Sequence, residues 1–400
     1  MAIQFNTIPI KAQGYPKPRL PIQPIFSLSN LKLTPTPGNT PPTVFTEPKM
    51  FFSNARTCIA HALQLSGVNA EKSVLIPAYH CGSMVEPAIW LNADVLLYHM
   101  KSNLSPNQQH IEKLIRFADK PVTAMLLPHY FGFPQEIELW RQFCNEHNIK
   151  LIEDCAHAFF GKTSRGQILG NSGDYAVASV RKFFSTPDGG VLVGKNIDAV
   201  PSTNKPNVKR EVQATLQMLL QAAEFGQLSQ LGKLLLWLDK YRSDLNKSLR
   251  DQSMNTIVAS NTEQWNWFDP NLLQKNGLRV SKTMMKYCRL SDIVEIRRKN
   301  YLRFIKGISK IEKLLPLFPV LPDHVAPYMV PLLLKSGESD FEQLKRAGIP
   351  IWRWEELADS NCEISQQYRL QLLHFPCHQE LNAVDIDWIC NKLYETLLKH

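Results

Sequence analysis

Apolar and polar positions alternate with two different spacings along the first half of the chain. Segments with helical spacing, in which apolar residues lie three or four positions apart as at Ile59 and Leu63, alternate with short runs of strand-like apolar residues. The pattern predicts helices and strands in strict alternation: helix 53–67, strand 73–77, helix 83–91, strand 95–98, helix 108–118, strand 123–127, helix 136–147 and strand 150–153. Strand–helix units of this length indicate an α/β fold with a mainly parallel sheet.

The rest of the chain has less regular patterning. Residues 1–48 are rich in proline, with Pro35, Pro37, Pro41 and Pro42 close together, and we expect an extension that lies over a surface. The apolar stripe from 208 to about 249 predicts one long amphipathic helix, used for core or subunit contacts rather than for a membrane surface. A polar stretch around 251–271 links it to a helix at 279–305. Shorter helical and strand-like segments follow at 325–334, 341–347 and 384–398.

These patterns predict three parts of the chain. An N-terminal extension covers 1–48, a large domain with a helical insertion at about 208–250 covers 49–275, and a small C-terminal α+β domain covers 276–400. In parallel sheets ligands bind beyond the carboxyl ends of the strands. His129, Asp154 and His157 fall just beyond predicted strand ends, so we expect the chemistry there.

Composition excludes several classes of protein. No apolar run reaches the eighteen residues of a membrane span, and the first residues lack the basic and apolar blocks of a secretion signal. The 8 cysteines form no CxxC pair, which argues against zinc and disulfide frameworks and favours the cytoplasm. The net charge of +9 is spread along the chain without aromatic–basic alternation. We therefore expect no nucleic-acid partner, no membrane and no metal, but an affinity for phosphate-bearing small molecules.

Two stretches thirty residues apart carry the candidate chemistry. The apolar strand that begins at Leu151 ends in Asp154, and a second short strand leads to Lys182 and the turn at Gly189 and Gly190. Pyridoxal phosphate requires a lysine for its Schiff base and a carboxylate against its pyridine nitrogen. The pattern therefore predicts Lys182 as the catalytic residue and Asp154 as the ring-nitrogen partner. By itself, Asp154 is equally consistent with a helix N-cap.

Other residues fit the remaining parts of the same cofactor. His157 either bonds the ring hydroxyl or simply packs. The segment from Ser53 to Thr57 opens a helix whose N–H groups, together with the side chain of Arg56, suit a phosphate, and Ser179 offers a hydroxyl to the same group. The chain lacks GxGxxG, GxxxxGK[ST], GxSxG and HExxH. No motif for dinucleotide binding, nucleotide-triphosphate binding, serine hydrolysis or zinc-dependent proteolysis therefore competes with the pyridoxal-phosphate interpretation.

Taken together, these motifs resemble the DegT/DnrJ/StrS family of pyridoxal-phosphate-dependent aminotransferases. The resemblance runs from about Asn54 to the C-terminus. It is carried by NARTCIAHAL at 54–63, PAYHC at 77–81, PHYFG at 128–132, EDCAHA at 153–158, GDYAVAS at 173–179, RRKNY at 297–301 and FPCH at 375–378.

The resemblance implies a fold-type I, aspartate-aminotransferase-like architecture and a homodimer. It implies Lys182 as the Schiff-base lysine, Asp154 as the ring-nitrogen partner, His157 on the ring-hydroxyl side and Ser179 at the phosphate. It further implies transfer of an amino group, perhaps from glutamate, to a keto or aldehyde acceptor such as a nucleotide-linked keto sugar. The retained lysine favours this reaction, because the family's sugar-dehydratase relatives carry histidine there.

Departures from the family pattern indicate a divergent member. Ala55 and Arg56 replace the usual Gly-Thr at the phosphate, and Cys81 replaces the aromatic ring that stacks on the cofactor, a task that either His80 or Tyr79 is expected to take over. Two alternatives therefore stay open beside amino transfer. One is a different pyridoxal-phosphate reaction such as elimination or decarboxylation, and the other is a protein that binds the cofactor without catalysis.

Overall fold

The fold is known from a computed structural model, which describes residues 3–6, 14–31, 41–46, 50–201, 204–250 and 268–398, with side chains described as far as Tyr241 in the helix that ends at 250. Two predicted features fall partly outside these ranges. They are the proline cluster, through Pro35 and Pro37, and the polar link, through residues 251–267.

A seven-stranded sheet forms the centre of the first half of the chain. In chain order its strands are β1 (Met50–Phe52), β2 (Ser73–Pro77), β3 (Asp94–Tyr98), β4 (Val122–Pro128), β5 (Lys150–Asp154), β6 (Tyr175–Ser179) and β7 (Gly190–Gly194). Their spatial order is β1-β7-β6-β5-β4-β2-β3. Strands β2 to β6 pair in parallel, whereas β7 is antiparallel to both β6 and β1. The predicted mainly parallel sheet is confirmed.

The four helices that connect these strands lie within two residues of their predicted ends. They are α1 (Ala55–Leu65), α2 (Gly82–Trp90), α3 (Gln108–Arg116) and α4 (Ile137–Glu146). Helix α1 is capped by Asn54, whose side chain accepts a hydrogen bond from the backbone N–H of Thr57 at 2.9 Å. This cap fixes the first turn of α1 beside β7, which matters for the site below.

Two helices predicted as continuous are each divided. The stretch from 208 forms α5 (Val208–Glu224) and α6 (Ser229–Arg250), because Gly226 between them has a φ of 78°, which no right-handed helix contains. The stretch from 279 forms α7 (Arg279–Tyr287) and α8 (Leu290–Gly307), since Cys288 is extended. The prediction of single helices was wrong at both places.

The second half of the chain contains a three-stranded antiparallel sheet in the order β10-β9-β8. Its strands and the accompanying helices are β8 (Leu314–Pro316), β9 (Met329–Leu334), β10 (Leu372–Pro376), α9 (Glu338–Arg346), α10 (Glu363–Gln371) and α11 (Ala383–Leu398). The smaller α+β arrangement agrees with the predicted fold class, while the domain boundaries stay a prediction. No helix in the described ranges is long and apolar enough to cross a membrane.

Part of the N-terminal extension packs into the protein. Ile25, Phe26 and Phe45 are buried. The backbone N–H of Arg19 donates to the carbonyl of Gly348 at 3.1 Å, which places this segment against the C-terminal half.

Candidate active site

A cavity of about 540 Å³ opens beyond the carboxyl ends of β5 and β6, beside the first turn of α1. Its volume lies within the usual range of small-molecule sites. Most of the residues singled out from the sequence line it: Ala55, Arg56, Asp154, Ser179 and Lys182. His80 and His157 do not appear in its lining. The topology explains the convergence, because β5 and β6 are adjacent and parallel and so end at the same edge of the sheet.

Asp154 and Lys182 influence each other across this cavity. Burial raises the pKa of the Asp154 carboxyl, and the positive charge of Lys182 opposes that shift. Burial lowers the pKa of Lys182, which Cys81 and Asp154 oppose. An amine with a lowered pKa loses its proton readily, as covalent and proton-transfer chemistry at lysine requires.

The backbone around Lys182 is held by side chains from the C-terminal half. Arg297, fully buried on α8, donates from Nη2 to the carbonyl of Lys182 at 2.9 Å. Gln379 donates to the carbonyl of Phe183 at 2.9 Å and accepts from Arg297 Nε at 3.0 Å. The turn that presents the lysine is therefore fixed by a buried polar network.

His157 is buried next to the cavity and has one unused nitrogen. Its Nδ1 accepts from the backbone N–H of Phe131 at 3.3 Å, whereas Nε2 has no hydrogen-bond partner among the described residues. Its ring stacks on that of Tyr328, with centroids 4.5 Å apart and planes at 30°. Burial lowers the pKa of His157 well below its usual value, so the ring is neutral. A buried, unpartnered ring nitrogen is rare and indicates a polar group that binds there.

The first turn of α1 forms the opposite end of the cavity. Arg56 donates from Nε and Nη2 to the hydroxyl of Ser83, at 3.1 and 2.8 Å, and lies 3.7 Å from Glu86. Gly190 passes directly beside this turn, because a Cβ there would meet the carbonyl carbon of Asn54 at 2.2 Å. The glycine thus permits the close approach of β7 to the first turn of α1.

Two histidines that follow predicted strands, His80 and His129, do not line the cavity. Both ring nitrogens of His80 are engaged, with Nδ1 3.2 Å from the carbonyl of Cys81 and Nε2 accepting from the N–H of Ala358 at 3.0 Å. His80 does not line the cavity, whereas Cys81 does, and the stacking role of His80 stays a prediction. The Nε2 of His129 forms a hydrogen bond with the Glu153 carboxylate, at 3.1 Å.

His129, Glu153 and Cys155 lie within ligand distance of one another but form no evident metal site. His129 Nδ1 accepts from the N–H of Gln135, and the Glu153 carboxylate accepts from three backbone N–H groups, those of Gly170, Ser172 and Gly173. The lone pairs that an ion needs are therefore occupied. Burial alone raises the pKa of Glu153, but these hydrogen bonds and His129 outweigh it and hold the pKa below its usual value.

Several lining residues carry no signal in the sequence. Tyr328 and Trp352 come from the C-terminal half, Gln221 from α5, and Gln23 and Pro24 from the N-terminal extension. The ammonium of Lys182 lies 5.5 Å from the centroid of the Tyr328 ring. No local motif marks these positions, since only tertiary packing brings them to β5 and β6.

Residues 50–201 match the model of the DegT/DnrJ/EryC1/StrS aminotransferase family. A GDP-perosamine synthase of Vibrio cholerae is 25% identical over 146 residues, which are 36% of this chain and 39% of that protein. The matched segment thus spans well under half the length of this curated relative. The resemblance expected from the motifs is confirmed over these residues, at low identity.

Solved structures share the fold over most of the chain. The aminotransferase TlmJ of Streptoalloteichus hindustanus has a TM-score of 0.61 at 17% identity, covering 88% of this chain and 86% of that one. NtdA of Bacillus subtilis, solved with bound cofactor PMP, has a TM-score of 0.58 at 14% identity and covers 87% and 73%. The predicted fold-type I architecture is thereby confirmed.

Proposed function

We propose that this chain is a divergent member of the DegT/DnrJ/EryC1/StrS aminotransferase family, whose model matches residues 50–201, and that it is a pyridoxal-phosphate-dependent aminotransferase. It would move an amino group from an amino acid, with glutamate the first candidate, to a keto or aldehyde acceptor such as a nucleotide-linked keto sugar. One observation carries the proposal: Lys182 and Asp154 line a single cavity from adjacent strands.

The residues present fit the proposed cofactor. The cavity combines a lysine of lowered pKa, a buried carboxyl and the N-terminus of an eleven-residue helix, and a buried histidine beside it has an unpartnered Nε2. Lys182 would carry the cofactor and Asp154 would face its ring nitrogen. His157 Nε2 would face the ring hydroxyl, while Ser179, Arg56 and the N–H groups at Ala55 would hold the phosphate. When bound, pyridoxal phosphate supplies an electron sink for the negative charge that develops at the α-carbon of an amino acid.

The chain's own groups then have defined tasks. The Lys182 amine would act first as a base, taking a proton from the α-carbon of the amino donor. It would then act as an acid and give the proton back later in the amino transfer. Its lowered pKa suits both tasks. Asp154 would stabilise positive charge at the ring nitrogen, and a carboxylate is the group suited to do so. Arg181, at the cavity wall, would receive an anionic substrate.

The protein would act as a homodimer, as its resemblance to the family implies. Exposed apolar side chains on α6 offer a surface for such contact: Leu231, Leu234, Trp237, Leu238 and Tyr241. The mass of the protein in solution, from light scattering, tests this part separately from the chemistry.

Absorption spectroscopy tests the proposed activity. The protein supplied with pyridoxal phosphate should gain the visible band of a lysine-linked cofactor, and glutamate or another amino donor should bleach it. Lys182→Ala should lose the band and the turnover. Lys195→Ala, at an exposed position, should keep both. A band that no donor bleaches would contradict amino transfer, and a protein that gains no band would contradict the cofactor.

A further inference from the structure

The N-terminal segment, residues 14–31, reaches the active site although it lies outside the part that matches the family. Two hydrogen bonds to the segment after β10 hold it in place, one on each side of its central residues. His378 Nε2 bonds the carbonyl of Pro21 at 2.9 Å, and the side-chain amide of Asn30 donates to Glu380 at 3.1 Å. Between these anchors, Gln23 and Pro24 form part of the cavity wall.

Gln23 makes one well-defined side-chain contact. Its Nε2 donates to the hydroxyl of Tyr328 at 2.7 Å. The other end of the amide, Oε1, is buried and has no hydrogen-bond partner in the described part of the chain. Buried side-chain oxygens are normally paired, so an unpaired one in a cavity wall indicates a surface shaped for a bound molecule.

Tyr328 connects Gln23 to the catalytic groups. Its ring stacks on His157, with centroids 4.5 Å apart, and its face lies 5.5 Å from the ammonium of Lys182. A phenol ring that loses its hydroxyl partner gains rotational freedom. Any such rotation changes the surface against which His157 and Lys182 are packed.

We propose that the N-terminal segment completes the cofactor site, with Gln23 as a positioning residue. The hydrogen bond from Gln23 fixes the Tyr328 ring, and that ring orients the unpartnered nitrogen of His157 toward the cofactor. The inference rests on the proposed function, because it assigns a role toward pyridoxal phosphate. It adds a contribution from residues that precede the family's matched region.

A double-mutant cycle with pyridoxal phosphate as the probe tests this role. Gln23→Leu removes the amide at nearly constant size, and Tyr328→Phe removes the hydroxyl but keeps the ring. Each should raise the Kd of pyridoxal phosphate roughly three- to tenfold, the effect of one lost hydrogen bond. Each should also alter the visible circular dichroism of the bound cofactor. The double variant should be no worse than either single variant, because both remove the same interaction.

Ser29→Ala is the matched control, since it removes a polar side chain from the same segment, is exposed, lies outside the cavity lining and is neither of the two anchors. It should bind the cofactor like the wild type, and thermal unfolding of all variants reports any general loosening. Wild-type affinity and dichroism in Gln23→Leu, or fully additive effects in the double variant, would overturn the inference. If the wild type itself gains no visible band, the proposed function fails first, and the two failures are thus distinguished.

Discussion

Arg297 donates a hydrogen bond to the backbone carbonyl of Lys182, at 2.9 Å, from a fully buried guanidinium. The same group donates to the carbonyl of Tyr328 at 3.0 Å and to the side chain of Gln379 at 3.0 Å. The Arg297 guanidinium therefore links the turn that carries the proposed catalytic lysine to the residue before β9 and to the segment after β10. The position of the Lys182 backbone therefore depends on packing against residues that are distant in the sequence.

Replacement of this guanidinium should damage stability and site together. Arg297→Met keeps the apolar stem but leaves buried carbonyl groups unpaired, which should lower the free energy of unfolding by about 3 kcal/mol. Urea unfolding measures that loss, and titration with pyridoxal phosphate should show weaker binding. Arg298→Met is the control, since Arg298 bonds the carbonyls of Pro322 and Val325 and not the lysine turn. Equal cofactor affinities in the two variants would contradict the positioning role of Arg297.

Asp154→Asn separates cofactor attachment from catalysis. The visible band should still form, because Lys182 is intact. Turnover should fall by about 100-fold or more, because a neutral amide does not hold positive charge at the ring nitrogen. Steady-state rates with a donor that bleaches the wild type measure the loss. Asp188→Asn removes another buried carboxyl, one bonded to Ser281 outside the cavity lining, and should keep the rate. Undiminished turnover in Asp154→Asn would remove the proposed role of this residue.

The pair of Glu153 and His129 should govern part of the acid stability. The pKa of Glu153 is lowered in the folded protein, so its contribution is fully present above the unfolded pKa, about 4.3, and is lost as the pH falls through the folded value. Glu153→Gln should lower the free energy of unfolding at pH 7 by about 3 kcal/mol. The difference from the wild type should shrink below about pH 4. Urea unfolding at several pH values checks the trend, and a difference independent of pH would refute it.

Gly190→Ala should disturb the phosphate end of the cavity. The added Cβ would lie 2.2 Å from the carbonyl carbon of Asn54 and 2.5 Å from the nitrogen of Ala55, so the first turn of α1 must move. We expect weaker binding of pyridoxal phosphate, measured by titration of the visible band. Gly337→Ala, where nothing lies within 4 Å of the new Cβ, is the matched control. Unchanged binding in both variants would show that the position of this turn does not matter.

The sequence predicted the parts of the fold that depend on local periodicity. Strands β2 to β5 and helices α1 to α4 repeat apolar positions with regular spacing, and an acid after β5 and a lysine after β6 must meet when those strands are parallel neighbours. The division between α5 and α6 carried a local signal, Gly226, that the helical pattern outweighed.

The remaining site residues depend on tertiary packing. Tyr328, just before β9, and Trp352, after α9, reach the cavity from the C-terminal half, and Gln23 from a segment without periodicity. His80 shows the same dependence: its place after β2 was predictable, but the hydrogen bond from the backbone N–H of Ala358 to its Nε2 was not. Contacts of this kind have no signature in the neighbouring residues.

Reductive trapping tests the central claim most directly. Protein incubated with pyridoxal phosphate should be treated with borohydride, digested, and mapped by mass spectrometry. Attachment of the cofactor to Lys182 in most molecules is the predicted result. Labelling spread over exposed lysines such as Lys195 and Lys240, with Lys182 unmodified, would contradict it.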